Sequence, residues 1–101
     1  MKTKRIALEI SPSSGQTADY KEVLTATIGT TDHRLLVHIH TDSYAAQAYA
    51  KVSRWSGEEW KLVHRLVVVD SSASYTRPAP RADQFAKDRK ELLRVAAAVL
   101  S

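Results

Sequence analysis

His38 and His40 stand two residues apart in the segment Arg34 to Thr41. On an extended chain both imidazoles then project from one side, the spacing with which a strand offers two nitrogen ligands to a metal ion. His64 is the natural third ligand. The strand register argues against it: His38 falls in a row with Gln47 and His64 in a row with Lys51. At ~3.3 Å per residue and ~4.8 Å per strand, that offset separates them by about 16 Å, several times the span of a zinc site. No metal site and no cofactor is expected, and the histidines read as half-exposed strand residues.

Tyr49, Trp55 and Trp60, beside Arg34, Lys51 and His64, have the composition of a platform for single-stranded nucleic acid, where rings stack on bases and cations hold phosphates. Trp55 and Trp60 serve equally well as a cross-strand clasp that needs no ligand. The clasp is favoured, because Leu36, Leu62 and Leu66 make the same surface too apolar for a dedicated nucleic-acid site. Lys87, Lys90 and Arg94 form a basic stripe, but Asp88 and Glu91 interrupt it, as on a solvated helix face.

Catalytic constellations are missing. The chain holds three glycines, too few for a phosphate-cradling loop, and no cysteine to act as nucleophile. Asp32-His33 and Glu58-Glu59 fall in expected turns, where such residues stay solvated. A non-enzyme is expected.

Composition sets the frame for these candidates. A chain of 101 residues with 44% hydrophobic side chains has the size and make-up of one domain, residues 1–101, around a single core. The lack of cysteine excludes a disulfide framework and thiolate zinc sites, and makes a cytoplasmic location the default expectation. The formal net charge of +4 permits contact with nucleic acid, yet the basic residues are scattered, Lys2 to Arg5 being the only dense cluster. Ile6 to Ile10 is too short for a signal-peptide core and contains Glu9. The longest uncharged apolar run, Val95 to Leu100, is far below the ~20 residues of a membrane span, so no membrane association is expected.

The elements that must position the aromatic cluster follow from periodicity. Lys4 to Ile10 alternates as a half-buried strand, with Ile6, Leu8 and Ile10 on one side. Ser11 to Asp19 reads as a loop, and Tyr20 to Ile28 as a second strand because of its β-branched residues. Gly29 to His33 turns the chain into a strand over Arg34 to Thr41, and Thr41 to Tyr44 turns it into a strand over Ala45 to Trp55. Ser56 to Glu59 leads to the last strand, Trp60 to Val69. Asp70 to Arg81 connects to a helix over Ala82 to Leu100, with Phe85, Leu92, Ala96 and Val99 on its stripe, widened by Leu93 and Leu100. The fold class is α+β: an antiparallel meander of about five strands with one C-terminal helix packed on one face.

A four-residue loop Thr30 to His33 places Ile28, Ala26 and Leu24 opposite Leu35, Val37 and Ile39. A two-residue turn at Asp42-Ser43 places Ile39, Val37 and Leu35 opposite Ala46, Ala48 and Ala50. The next loop places Val52 opposite Val63 and Ala48 opposite Val67. One core face results, completed by Val69, with a column of alanines that lets the helix approach. The other face holds Val23, Leu36, His38, His40, Tyr49, Lys51, Trp55, Trp60, Leu62, His64 and Leu66. One helix cannot cover both faces. The segment Ser71 to Arg81, a second copy of the chain or a ligand must cover the second. The expected function is therefore that of a small interaction protein, most simply a homodimer, binding through Leu36, Tyr49, Lys51, Trp55, Trp60, Leu62, His64 and Leu66. The alternative is a nucleic-acid-binding module using that face or the helix stripe.

Overall fold

The computed structural model describes residues 2–11, 18–41, 46–71 and 82–100. Strands β1 (Lys2–Ser11), β2 (Ala18–Ile28), β3 (Thr31–Thr41), β4 (Ala46–Trp55) and β5 (Trp60–Ser71) lie side by side in chain order as one antiparallel sheet. Helix α1 (Ala82–Leu100) packs against it. This is the α+β meander read from the sequence, with the helix over the expected residues. Residues 12–17, 42–45 and 72–81 lie outside the described residues, and with them most of the expected loop Ser11 to Asp19, the expected turn after Thr41 and the expectation that Ser71 to Arg81 covers the second face. Ser11 and Asp19, expected in that loop, belong to β1 and β2.

The hairpins differ from the expected register in an instructive way. β2 and β3 are joined by Gly29 and Thr30 alone, with Ile28 paired to Thr31. Gly29 has φ 61° and no non-glycine residue among those described has a positive φ, the pattern of a type II′ turn, whose twist matches the flanking strands. The strand thus takes in Thr31 to His33, and Leu24 meets Leu35 rather than Ile39. Asp32 and His33, expected in a turn, belong to β3, and His33 is buried. Between β3 and β4 the register moves by two, so that Ile39 meets Ala48 rather than Ala46. Even displacements leave every side chain on its expected face.

β5 is where the faces change. It opens as expected, with Trp55 opposite Trp60, but a bulge then sets Val52 opposite His64 rather than Val63. One extra residue turns all that follows to the other side. Leu66 therefore comes opposite Ala50 and is buried in the core, and His64 turns to the helix side, while Val63 and Val67 are exposed instead of buried. A second bulge returns Val69 to the core side opposite Ala48.

The core lies between this side of the sheet and α1. Leu24, Ala26, Leu35, Val37, Ile39 and Val52 are buried with Ala46, Ala48 and Ala50, and Phe85, Leu92 and Ala96 descend from the helix. Ile28 is only half-buried near the hairpin, and Val99, near the helix end, is exposed rather than part of the buried stripe. A helix about 10 Å across spans two to three strands at ~4.8 Å spacing. α1 lies on β3, β4 and β5. β1 is consequently exposed along its whole length, not half-buried, and Ile6, Leu8 and Ile10 face solvent.

One side chain ties the uncovered strand to the helix. The residues of β2 alternate, and the buried positions from Ala18 to Ala26 include Glu22, 1% exposed. Its carboxylate accepts from Arg5 Nε of β1 on one oxygen. Arg89 of α1 donates from Nε to Oε1 at 2.6 Å and from a terminal nitrogen to Oε2 at 3.3 Å. Tyr20, whose ring packs on Phe85 at 5.5 Å between centroids, donates its hydroxyl to Oε1 at 3.1 Å. Burial pushes the Glu22 carboxyl up, but the hydrogen bonds from Arg89 and Arg5 outweigh it and hold the group below its ordinary value of 4.5. A carboxyl depressed in this way stabilises the fold fully above its unfolded pKa, and the contribution is lost as pH falls through the native one.

Two outcomes are expected from this packing. Ala48→Leu or Ala50→Leu should destabilise by roughly 1 to 3 kcal/mol by lifting α1 from the sheet, and unchanged thermal melts in both would contradict the docking. Glu22→Gln should lower stability at neutral pH by roughly 2 to 4 kcal/mol, since two guanidinium groups lose their counter-charge. Denaturant melts between about pH 6 and pH 3 should show a steep acid loss in the parent chain and a flatter one in the variant. Parallel pH profiles would exclude the clamp as their source.

Candidate functional site

The face of the sheet turned away from α1 carries three adjoining regions. At the β4–β5 hairpin, Trp55 and Trp60 lie 5.3 Å apart with planes inclined at 56°, and the Arg34 guanidinium sits 4.4 Å from the Trp60 ring. The loop that sets this pair is closed by Ser56, whose backbone N–H and hydroxyl both donate to the Glu59 carbonyl at 3.0 Å, with Gly57 at φ 97°. Arg34 Nε is buried with no hydrogen-bond partner among the described residues, so the aromatic ring is the group's main counterpart. Arg65, opposite Lys51, repeats the motif 5.0 Å from the ring of Tyr49.

The middle region is a concavity of about 460 Å³ across β1 to β4. Ala7, Val23 and Leu36 give it an apolar floor, and Glu9, Lys21 and Lys51 give it charges of both signs. Exposure along this face is high: Leu36 is 40% exposed, Trp55 42%, Leu62 60% and Val67 46%.

The third region adjoins the concavity, where β2 and β3 run side by side. Asp19 of β2 is opposite His40 and next to the Lys21–His38 pair, so one carboxylate and two imidazoles share a side. Asp19 Oδ1 meets His38 Nε2 at 3.0 Å and His40 Nδ1 at 2.8 Å. His38 Nδ1 in turn meets the Tyr49 hydroxyl at 2.8 Å, with the rings edge to face at 5.2 Å. Partial burial raises the Asp19 carboxyl, but the hydrogen bonds with His38 and His40 outweigh it, so its pKa lies below the ordinary value.

Of the residues expected to bind, Leu36, Tyr49, Lys51, Trp55, Trp60 and Leu62 share this face. Leu66 and His64 do not, for the bulge in β5 turns both to the helix side. His64 is accordingly no partner for His38, because it lies on the other face rather than further along the same one, and Asp19 takes the place offered to it. Asp19 falls in the loop expected over Ser11 to Asp19, whereas β2 begins at Ala18, and only with the two-residue Gly29-Thr30 turn does it come opposite His40. A Gly-Thr step between two β-branched runs was the available signal. The helix stripe is exposed as expected, and Glu91 pairs with Arg94 at 2.6 Å.

No family model, curated protein or solved structure matches the chain.

Proposed function

We propose that this chain is a small non-enzymatic interaction protein that docks a protein partner on the sheet face opposite α1, the simplest occupant being a second copy of itself. The observation that carries this reading is the exposure of Leu36, Trp55, Leu62 and Val67 together on a face that no described element covers. Charge supports the choice of a second copy. Lys21, Lys51 and Arg65 share the face with Glu9, Asp19 and Asp70, and a two-fold axis sets such a mixed surface against itself with opposite charges in reach. Trp55 and Trp60 are the expected anchors, since large aromatic side chains commonly carry the binding energy of an interface.

A second reading, nucleic-acid binding on the same face, is favoured by one feature. Arg34 on Trp60 and Arg65 on Tyr49 place cations against rings, the elements of a stacking platform. The carboxylates of Glu9, Asp19 and Asp70 on that face count against it.

Trp55→Ala and Trp60→Ala should each weaken self-association by more than ~1 kcal/mol, read by sedimentation equilibrium, with the fold retained and the melting temperature lowered only in Trp60→Ala, which also strips Arg34 of its ring. A strict monomer at millimolar concentration would refute self-association, and lost stability with unaltered association would make the tryptophans a clasp alone. Binding of single-stranded DNA or RNA that weakens steeply with salt would instead establish the second reading.

A further inference from the structure

We propose that Asp19, His38 and His40 form a binding site for a first-row divalent cation of the Zn²⁺ class. Their donor atoms lie within 4.8 Å of one another, and all come from two adjacent strands on one side of the sheet. Two imidazole nitrogens and one carboxylate oxygen are a donor set that such ions favour, and a three-residue set leaves coordination positions for water or an incoming ligand.

The local geometry suits a metal in three ways. First, both nitrogens already converge on a single oxygen, Asp19 Oδ1, at 2.8 and 3.0 Å. Around an ion with bonds of about 2.0 to 2.2 Å, neighbouring donors stand slightly further apart than that. A small outward rotation of the side chains makes the room, and the three groups remain partly open to solvent, so an ion has an entry path.

Second, the ring of His38 is held from behind. Its Nδ1 lies 2.8 Å from the Tyr49 hydroxyl, which can donate to an unprotonated Nδ1 or accept from a protonated one. In the metal-bound tautomer Nδ1 carries the proton and donates to Tyr49, leaving the Nε2 lone pair for the ion. An outer partner that fixes tautomer and ring plane is a recurring companion of metal-binding histidine.

Third, the strand pairing fixes the spacing. His38 and His40 are successive residues on one side of β3, and Asp19 is the direct neighbour of His40 on β2. His38 and Tyr49 also line the 460 Å³ concavity, so the vacant coordination positions adjoin it. A water or an anionic group entering from there completes the coordination.

The test is a titration of the full chain with Zn²⁺ by calorimetry, with Co²⁺ absorption as a second readout of coordination. One saturable equivalent is expected, with a rise in melting temperature at excess Zn²⁺. His38→Gln and Asp19→Asn should each abolish or weaken binding at least a hundredfold. Tyr49→Phe should weaken it about tenfold, by releasing the ring without removing a ligand. His64→Gln, outside the cluster, should bind as the parent chain does. Circular dichroism establishes that each variant is folded, and the Tyr49 and His64 variants keep the test decisive should a ligand variant unfold. Absence of saturable binding, or equal binding in the parent and the folded His38 and Asp19 variants, would overturn the site.

Discussion

Glu22 accepts hydrogen bonds from guanidinium groups on the first strand and on the last helix, elements separated by nearly the whole chain. A charge that loses nearly all contact with water is costly unless paired and hydrogen-bonded. Here the cost is offset only when Arg5, Arg89 and Tyr20 converge, so the carboxylate specifies where both elements go. β1 has no helix above it, yet it is drawn to the sheet by Arg5 as well as by its backbone pairing with β2. Arg89 in turn belongs to the same helical stripe as Phe85, Leu92 and Ala96, so the clamp and the apolar contacts orient α1 together.

With α1 committed to one side, the other side takes its character by default. A single helix spans about three strands, and this one lies over the alanine column of β4 and its neighbours on β3 and β5. Nothing among the described residues covers the opposite face, where aromatic, apolar and charged side chains alternate in rows set by the same pairing. The bulges in β5 matter for both sides at once: they send Leu66 into the core and leave Val67 outside. They also distort the sheet edge opposite β1, a feature that discourages strand addition there.

Much of this was legible in the sequence for definite reasons. Period-2 alternation gave the strands, and helix formers with apolar spacing gave α1 to the residue. Leu24, Leu35, Val37, Ile39 and the alanines fell on the correct side despite wrong loop lengths, because errors of two or four residues preserve parity. A bulge changes parity, and no residue type in Trp60 to Ser71 marks one, so Leu66, His64, Val63 and Val67 were misplaced. Glu22 and Arg89 were legible in principle. Each is a charge within an apolar stripe, and two opposite charges in facing stripes imply each other. Asp19 required both the true start of β2 and the exact turn, since strand partners depend on loop length where faces do not.

The most direct test of the idea that the face opposite α1 is the working surface is residue-resolved. Amide and indole NMR signals of the labelled chain, followed from micromolar to millimolar concentration, show which residues sense a second copy. Shifts confined to Leu36, Tyr49, Lys51, Leu62 and the indoles of Trp55 and Trp60, with α1 unmoved, are expected. Shifts centred on α1, or none on the open face over that range, would contradict it.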